Sequence, residues 1–408
     1  MMKRIDIFLL SSLLFLVSCE RWNSEELHDG GEQIWLAARA DGPLSTKVPY
    51  DTEDGNPAPD NHLNVDVWAS TTQNMFLHKE EEGWDGTKDV DADGNGTVDE
   101  GERAVSVHTQ AFFQSEKPQL LSKAIYPPPV HEENGEKVAD PVYFVGLYPQ
   151  SDDEGLRWDT NNEGTVAMYD FDGSQDLMYA PQVEGKYNTS DDQTDISTTT
   201  PTLHFYHLLT RLNVSIGPNL EGGVGLYDIQ NAWGQIVGLK IQCWDPQGWG
   251  YGVGSLTIDL TRTIGNSTPV SDISAALNFG EQDRTEAGMM DFFKTGSDEE
   301  FPGEDGYAFT DVEEVAYVMC APVTASTEYD EYVLIIETQK EGQDIKITEL
   351  PLNLMEKDGG GQDKDLEGTS MGREFDITLL FNKTRAIAEV VSVAAWETGG
   401  QGSGDIID

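Results

Sequence analysis

LHFYHLLTRLNVSIG, residues 203–217, begins a new strand directly after the polar stretch TTTPT at 198–202. A change from a polar segment to strand-like sequence is typical of a boundary between structural units. The sequence therefore predicts one unit over residues 40–200 and a second over residues 201–408.

Apolar and polar residues alternate with a period of two along most of the chain. This pattern is typical of half-buried antiparallel strands. The clearest cases are residues 63–69, 237–243, 256–260 and 375–381. Two nearly continuous apolar runs, VYFVGLY at 142–148 and YVLIIE at 332–337, predict central strands buried on both faces. No helical pattern of convincing length is present, so the sequence predicts an all-β fold.

The composition supports a folded protein with an acidic, solvated surface. The chain has 408 residues, with 74 Asp and Glu against 25 Lys and Arg and a formal net charge of -49. Binding to nucleic acid is excluded, because it draws its free energy from clustered cations. The 38% hydrophobic content is enough to bury real cores, and the length favours two domains.

The first 18 residues resemble a lipoprotein signal peptide. Lys3 and Arg4 form its positive start, residues 7–17 are apolar, and Leu16-Val17-Ser18-Cys19 has the form of a lipobox. The apolar run is too short for a comfortable membrane span. We therefore expect lipidation at Cys19 and export to the outer membrane and cell surface. The alternative is an ordinary secretory signal followed by a chance cysteine.

Histidine and cysteine pairs give little sign of a metal centre. His204 and His207 are three residues apart, so on a strand they would point to opposite faces. We expect one surface histidine and one satisfied core histidine. Cys243 and Cys320 lie in strand-like runs. They are interpreted either as two small buried hydrophobic residues or as the two halves of a disulfide.

Motifs for catalysis are absent from the sequence. There is no HExxH, GxSxG or P-loop pattern, and QGWGYGVGS near residue 250 lacks the GxGxxG spacing. Carboxylates are so numerous that any chosen acid/base pair would be arbitrary. The sequence predicts a protein that is not an enzyme and has no catalytic residues.

The stretch DADGNGTVDEGE, residues 91–102, has the ligand order of a calcium loop. Gly96 allows the turn, and Val98 occupies the apolar position. A register from Asp89 to Glu100 fits less well, and the alternative is an ordinary acidic loop. The predicted ligands are Asp91, Asp93, Asn95, Thr97 through its carbonyl, Asp99 and Glu102.

The flanks of this loop, EEGWDGTKDV and AVSVHTQAFF, show no helix on either side. A calcium sensor works by moving its two flanking helices. The loop is therefore predicted to be a structural calcium site that orders an acidic connection.

Several stretches together resemble the fimbrillin family, the pilin-like surface proteins of Bacteroidales type V pili. They occur in the family's order, and the resemblance covers most of the chain outside 79–137 and 265–310. They are the lipobox, QIWLAARA at 33–40, DGSQDLMYAP at 172–181, PTLHFYHLLTRLNVSI at 201–216, MGREFDITLLF at 371–381 and AEVVSVAAWETGGQGSGDI at 388–406.

The resemblance implies two transthyretin-like β-sandwich domains in tandem after the signal peptide. It also implies that a trypsin-like protease cuts after an arginine near the end of the first strand. Removal of that strand opens a groove that a strand from the next subunit fills. Residues 19–39 would then be a propeptide and first strand.

Arg39 lies where this cut would fall, and Ile34, Leu36 and Ala38 could form the face withdrawn from the core. At the other end, Val391, Val393 and Ala395 alternate up to Trp396 and could form a donor strand for another subunit, whereas the tail beyond is polar.

These features predict a surface-exposed pilus subunit, accessory or tip rather than stalk, acting in adhesion or pilus assembly. Its partners would be other fimbrillin subunits, the outer membrane through its lipid, and a host or bacterial surface ligand. The alternative is a stand-alone or anchoring outer-membrane lipoprotein that binds glycans or proteins.

Overall fold

The computed structural model describes the strands, the helix and the turns that connect them. The described residues are 35–40, 62–70, 73, 106–114, 119–120, 131–133, 136–138, 141–151, 158–160, 165–169, 172–185, 200–244, 249–260, 273, 276–283, 289–297, 299–322, 331–352, 354–357, 363–365 and 369–395.

Twenty-four strands and one short helix make up these regions. In chain order the strands are β1 Trp35–Ala40, β2 His62–Ser70, β3 Ser106–Gln114, β4 Gln119–Leu120, β5 His131–Glu133, β6 Glu136–Val138, β7 Val142–Tyr148, β8 Trp158–Thr160, β9 Thr165–Tyr169, β10 Met178–Gly185, β11 Thr202–His207, β12 Thr210–Pro218, β13 Gln235–Trp244, β14 Trp249–Asp259, β15 Leu277–Asp283, β16 Met290–Asp291, β17 Phe293–Lys294, β18 Glu313–Cys320, β19 Glu331–Gln339, β20 Lys346–Leu352, β21 Met355–Lys357, β22 Asp363–Asp365, β23 Arg373–Phe381 and β24 Ala386–Ala395. The α-helix, α1, spans Leu226–Trp233 and follows a 3-10 turn at Glu221–Gly223.

Three sheets contain most of the strands. The first has the order β3-β2-β7-β10-β11-β1-β4, the second β17-β18-β12-β23-β24, and the third β20-β19-β13-β14-β9-β8, with β15 and β16 paired to its β14 and β13. The prediction of an all-β fold is confirmed. Helix α1 was not predicted, because eight residues between Gly225 and Gly234, with only Ile229 and Trp233 buried, give too short a pattern.

The first sheet curls so that its end strands, β3 and β4, lie close together. This curvature lets one face of the sheet enclose an apolar core made from its own strands. The core contains Leu36, Ala38, Val65, Val67, Ala69, Ala111, Phe113, Val142, Phe144, Tyr148, Met178, Ala180, Leu203 and Phe205.

A second core lies between the other two sheets and also includes the outer face of the first. Strands β12, β18 and β23 supply one side and β13, β14 and β19 the other. Trp68, Val145 and Tyr179 of the first sheet belong to the same cluster. Burial raises the pKa of the Tyr179 hydroxyl, and the charge of Asp259 on β14 raises it further.

Strand β2 therefore differs from the half-buried strand that its alternation predicts. Residues 65–70 are all buried, including Trp68 at 1% exposure and Asp66 at 0%. The reason is non-local, because the second core covers the face that a lone sheet would show to solvent. Strand β7 at 142–148 is buried as predicted, with Tyr143 alone half-buried.

Two segments pair with strands from the other half of the sequence. Strand β11, just after the predicted boundary at 200, pairs with β10 and β1 in the first sheet. The β8–β9 hairpin, from the first half of the chain, pairs through β9 with β14 in the third sheet.

Two residues, 208 and 209, connect β11 of the first sheet to β12 of the second, and buried polar contacts fix this junction. On the side of the first sheet, Nδ1 of His207 lies 2.7 Å from Oδ2 of Asp176. The Leu208 N–H donates to the carbonyl of Leu177 at 2.8 Å. Both members of the His207–Asp176 pair are buried, at 2% and 6% exposure.

On the side of the second sheet, the junction is held by main-chain and hydroxyl contacts. The Gly372 N–H donates to the carbonyl of Leu209 at 3.0 Å. The hydroxyls of Thr210 and Ser370 lie 2.6 Å apart, and the Tyr332 hydroxyl donates to the Ala321 carbonyl at 2.6 Å.

Arg211 extends this polar group into the second sheet. Its Nε donates to Oδ1 of Asn213 at 2.9 Å, and its guanidinium lies 5.4 Å from the ring centre of Tyr317. The Asn213 amide in turn donates to the carboxylates of Glu374 and Asp376 on β23. The Glu374 carboxylate, whose Oε1 lies 3.9 Å from Nε of Arg211, supplies the opposite charge for the buried arginine.

Cys320 is a free, buried thiol, whose Sγ donates to the Thr210 carbonyl at 3.5 Å. It therefore forms no disulfide with Cys243. The side chain of Cys243 lies outside the described residues. Among the described residues, no helix is long and apolar enough to cross a membrane.

Asp176→Ala should lower the free energy of unfolding by about 3 kcal/mol, because it leaves the buried His207 ring without its carboxylate. Thermal or urea denaturation measures this change. Asp344→Ala, at an exposed turn position, is the matched control and should change the stability by less than about 0.5 kcal/mol. Equal stabilities of the two variants would contradict the importance of the junction.

Candidate functional site at the first strand

Strand β1 lies between β11 and β4 in the first sheet. It runs parallel to β11, with Ala37 opposite Thr202 and Ala40 opposite Phe205. It runs antiparallel to β4, where Trp35 pairs with Leu120. The first described strand is therefore inserted into a sheet whose other members come from residues 62–207.

The two sides of β1 are held unequally. Residues 37–40 pair with β11, whereas β4 pairs only with Trp35 and Leu36. Among the described strands, none pairs with the other side of residues 37–40. Among the described strands, this half of β1 is held by the ladder with β11.

The inward face of β1 is fully buried. Leu36 is 0% exposed and Ala38 is 3% exposed, and both belong to the core that includes Leu203 and Phe205 of β11. Phe205 also packs closely on β7, since a Cβ added to Gly146 would lie 2.6 Å from its ring. Loss of β1 would therefore uncover an apolar groove beside an unpaired strand edge.

Arg39 lies inside the ladder, opposite His204. Its side chain is outside the described residues. A protease binds its substrate as an extended, unpaired segment, so the end of β1 must detach before the bond after Arg39 can be cut. The predicted cleavage position thus lies within the ladder between β1 and β11.

The other predicted site residues lie outside the described residues. These are Cys19, Ile34, Trp396 with the tail, and the calcium loop with Asp91, Asp93, Asn95, Thr97, Asp99 and Glu102. Among the described residues, no three His, Cys, Asp or Glu side chains are grouped as metal ligands.

The two histidines on β11 point to opposite faces, as predicted. His207 is the buried core histidine and contacts Asp176. His204 is half-buried, and its Nδ1 lies 3.1 Å from the Tyr206 hydroxyl. The two rings of His204 and Tyr206 are 4.4 Å apart.

A buried carboxylate on β2 was missed by sequence reasoning. Asp66 accepts a hydrogen bond from the Ser151 N–H at 2.8 Å and contacts Nε2 of His108 at 3.0 Å. The His108 ring stacks on Trp68. Nothing local in the sequence marks Asp66, because its partners are 42 and 85 residues away.

The sequence matches no protein-family model and no curated protein. Its fold is similar to that of several solved structures. One is a protein from Bacteroides uniformis ascribed to cell adhesion, with 15% identity, coverage of 89% of this chain and 99% of that one, and a TM-score of 0.40.

Two others are fimbrial proteins of Porphyromonas gingivalis. The tip fimbrial protein Mfa3 is 9% identical over 90% of this chain and 100% of that one, with a TM-score of 0.34. The fimbrial anchor protein Mfa2 is 10% identical over 90% and 99%, with a TM-score of 0.35. Fimbrial proteins thus occur among the structural neighbours of a chain whose sequence resembles fimbrillins.

Leu36→Ala should destabilise β1 in its groove, because it removes a fully buried side chain that the surrounding sheet cannot replace. We expect a loss of about 2 kcal/mol or more of unfolding free energy and faster hydrogen exchange of the β1 amides. Hydrogen exchange read by mass spectrometry measures both. The control is Leu220→Ala, at a side chain 52% exposed, which should leave β1 unchanged. Unaltered exchange in β1 of the Leu36 variant would count against a filled groove.

Proposed function

We propose that the protein is a fimbrillin-like surface subunit, accessory or tip rather than stalk, that acts in adhesion or pilus assembly by β-strand complementation. The observation that carries the proposal is β1 itself. It is the first described strand, it closes an apolar groove with Leu36 and Ala38, and its residues 37–40 pair with β11 among the described strands. The resemblance of the sequence to fimbrillins supports the same function.

In the proposed mechanism, cleavage after Arg39 lets β1 leave the sheet. Leu203 and Phe205 then lose their apolar cover, and the edge of β11 loses its hydrogen-bond partner. A strand from another subunit restores both, because its main chain pairs with β11 and its alternate side chains fill the groove.

The proposed membrane attachment is a lipid at the N-terminus. Lipidation at Cys19 would hold the precursor at the outer membrane, with the protein facing the cell surface. Cleavage after Arg39 would separate the lipid from the folded part and free it for assembly.

A second candidate function is a stand-alone or anchoring lipoprotein that keeps β1. The specific observation in its favour is that Arg39 is paired with His204 in the sheet, which protects the bond after it until β1 frays. In that case Cys19 would remain the attachment point, and the binding partner would be a glycan or protein ligand.

The C-terminal end supports an accessory or tip position. Strand β24, which precedes the polar tail, is paired along its length with β23 of its own sheet. A subunit that donates a strand needs alternating apolar residues beyond its folded part, and residues 397–405 are mostly Gly and polar. A subunit with a tail of this composition would accept a strand without donating one.

We also propose that residues 91–102 bind calcium and order the acidic connection between β2 and β3. The ligands would be Asp91, Asp93, Asn95, Thr97, Asp99 and Glu102. The role is structural, and the proposed function involves no catalysis.

Treatment of the purified precursor with an Arg-specific protease should give a cut after Arg39, followed by strand exchange or oligomers. Intact mass identifies the cut, and size-exclusion chromatography detects oligomers. Excess synthetic peptide of residues 30–39 should suppress them by refilling the groove. Arg39→Gln is the matched control and should stay uncut at this bond and monomeric. Polymerisation would lose its basis if the bond after Arg39 is not cut. The same holds if the cut protein remains monomeric and does not bind the peptide.

Calorimetry should show calcium binding to the full chain that is lost in Glu102→Ala, because the last loop position supplies two carboxylate oxygens. Glu304→Ala, at an exposed turn far along the sequence, should bind calcium as the unaltered chain does. Equal affinity in the Glu102 variant would refute the site.

A further inference from the structure

The turn between β23 and β24 exposes an arginine to solvent. Residues 383–385 are all exposed, and Arg385 is the last of them. The other arginine side chains that the structure describes are less open, since Arg211 is 1% exposed and Arg373 is half-buried. Exposed turns are preferred sites of proteolysis. An Arg-specific protease that processes this chain therefore meets Arg385 as well as Arg39.

The side chain of Asn382 closes this turn. Its Oδ1 accepts hydrogen bonds from the Thr384 N–H at 2.8 Å, the Arg385 N–H at 2.9 Å and the Thr384 hydroxyl at 3.2 Å. Its own N–H donates to the Arg385 carbonyl at 3.0 Å. The carbonyl of the bond that a protease would attack is thus engaged within the turn.

Helix α1 fixes the same turn from the side. The indole N–H of Trp233, a residue 3% exposed, donates to the Asn382 carbonyl at 2.7 Å. The Lys383 ammonium lies 3.8 Å from Asp228 of the helix. The Trp233 ring also meets Phe381 edge-on at 5.2 Å, so the helix holds both the turn and the end of β23.

Strands β23 and β24 are paired right up to the turn between them. Phe381 faces Ala386 and Leu380 faces Ile387, and the ladder continues to Arg373 and Ala395. A protease needs several extended residues on both sides of the cut, so this hairpin must open before Arg385 can be bound. Residues 37–40 of β1 pair with β11 among the described strands.

We infer that Asn382, clamped by Trp233 of helix α1, protects Arg385 from cutting by keeping this exposed residue in a closed turn. Asn382 is a specificity-determining residue for proteolytic processing, and this role rests on the proposed cleavage at Arg39. Hydrolysis after Arg385 would add one water to the Arg385–Ala386 amide and give a new carboxylate and a new amino terminus. It would detach residues 386–408, which include β24. The closed turn keeps this strand covalently joined to the folded part.

The experiment compares cutting at the two arginines in the same full-length chain. Purified protein is treated with an Arg-specific protease, quenched at intervals, denatured and read by intact mass. The fragment 386–408 reports the cut at Arg385, and the new N-terminus at Ala40 reports the cut at Arg39. In the unaltered chain the Arg385 bond should stay intact while a synthetic peptide of residues 378–392 is cut.

Asn382→Ala removes the three side-chain acceptor contacts and should raise the rate of cutting at Arg385 about tenfold or more. Asn382→Asp keeps the acceptor oxygen and should remain protected. Trp233→Phe keeps an aromatic ring, removes the indole donor and should give an intermediate rate. Asn382→Ala combined with Arg385→Lys should yield no fragment 386–408.

Two results would overturn the inference. One is cutting of the unaltered chain at Arg385 as fast as the peptide, and the other is equal resistance of the Asn382→Ala and unaltered chains. Circular dichroism shows whether the Asn382→Ala variant is folded. If that variant is not folded, the rate of cutting at Arg385 in Trp233→Phe tests the inference instead. Because the Arg39 cut has its own mass, resistance at Arg39 would count against the proposed function without affecting the result at Arg385.

Discussion

A buried contact between His207 and Asp176 lies at the junction from which the first and second sheets diverge. It lies where β11 of the first sheet passes into β12 of the second through residues 208 and 209. The pair fixes the end of β11 to the start of β10, and the Gly372–Leu209 hydrogen bond fixes the next residues to β23. A short link with polar contacts on both sides leaves the two sheets little freedom to turn against each other.

The first strand depends on the same junction. Strand β11 supplies the ladder for β1 and also the Leu203 and Phe205 side chains that β1 covers. Because β11 is held in place at His207, its edge and its apolar face should persist when β1 is absent. A rigid edge is what strand complementation requires, since an incoming strand gains most when it meets a preformed partner.

The turn before β24 is held by more than its hairpin ladder. Among the described strands, residues 37–40 of β1 pair with β11 and β24 pairs with β23, so each is held by one ladder, and the turn before β24 is also bound by the Trp233 indole. Opening of this hairpin must break that contact as well as the ladder, which would protect the bond after Arg385. Processing specificity would then be a property of the fold as well as of the protease.

Strands with a clear local pattern could be predicted from the sequence, whereas their partners could not. Residues 142–148 form the buried strand that their continuous apolar run predicts, and His204 and His207 take the opposite faces that their spacing requires. The full burial of β2 and of Asp66 depends on contacts far along the chain. Helix α1 is too short to give a periodic signal, and the parallel register of β1 against β11 is set by tertiary packing.

The central claim is that β1 is removed from the mature protein so that another strand can fill its groove. The most direct measurement is the N-terminal residue of the mature protein isolated from its native cell. The account predicts a chain that begins at Ala40, without lipid. A mature chain that begins at lipidated Cys19 would contradict it and leave a permanently anchored surface lipoprotein.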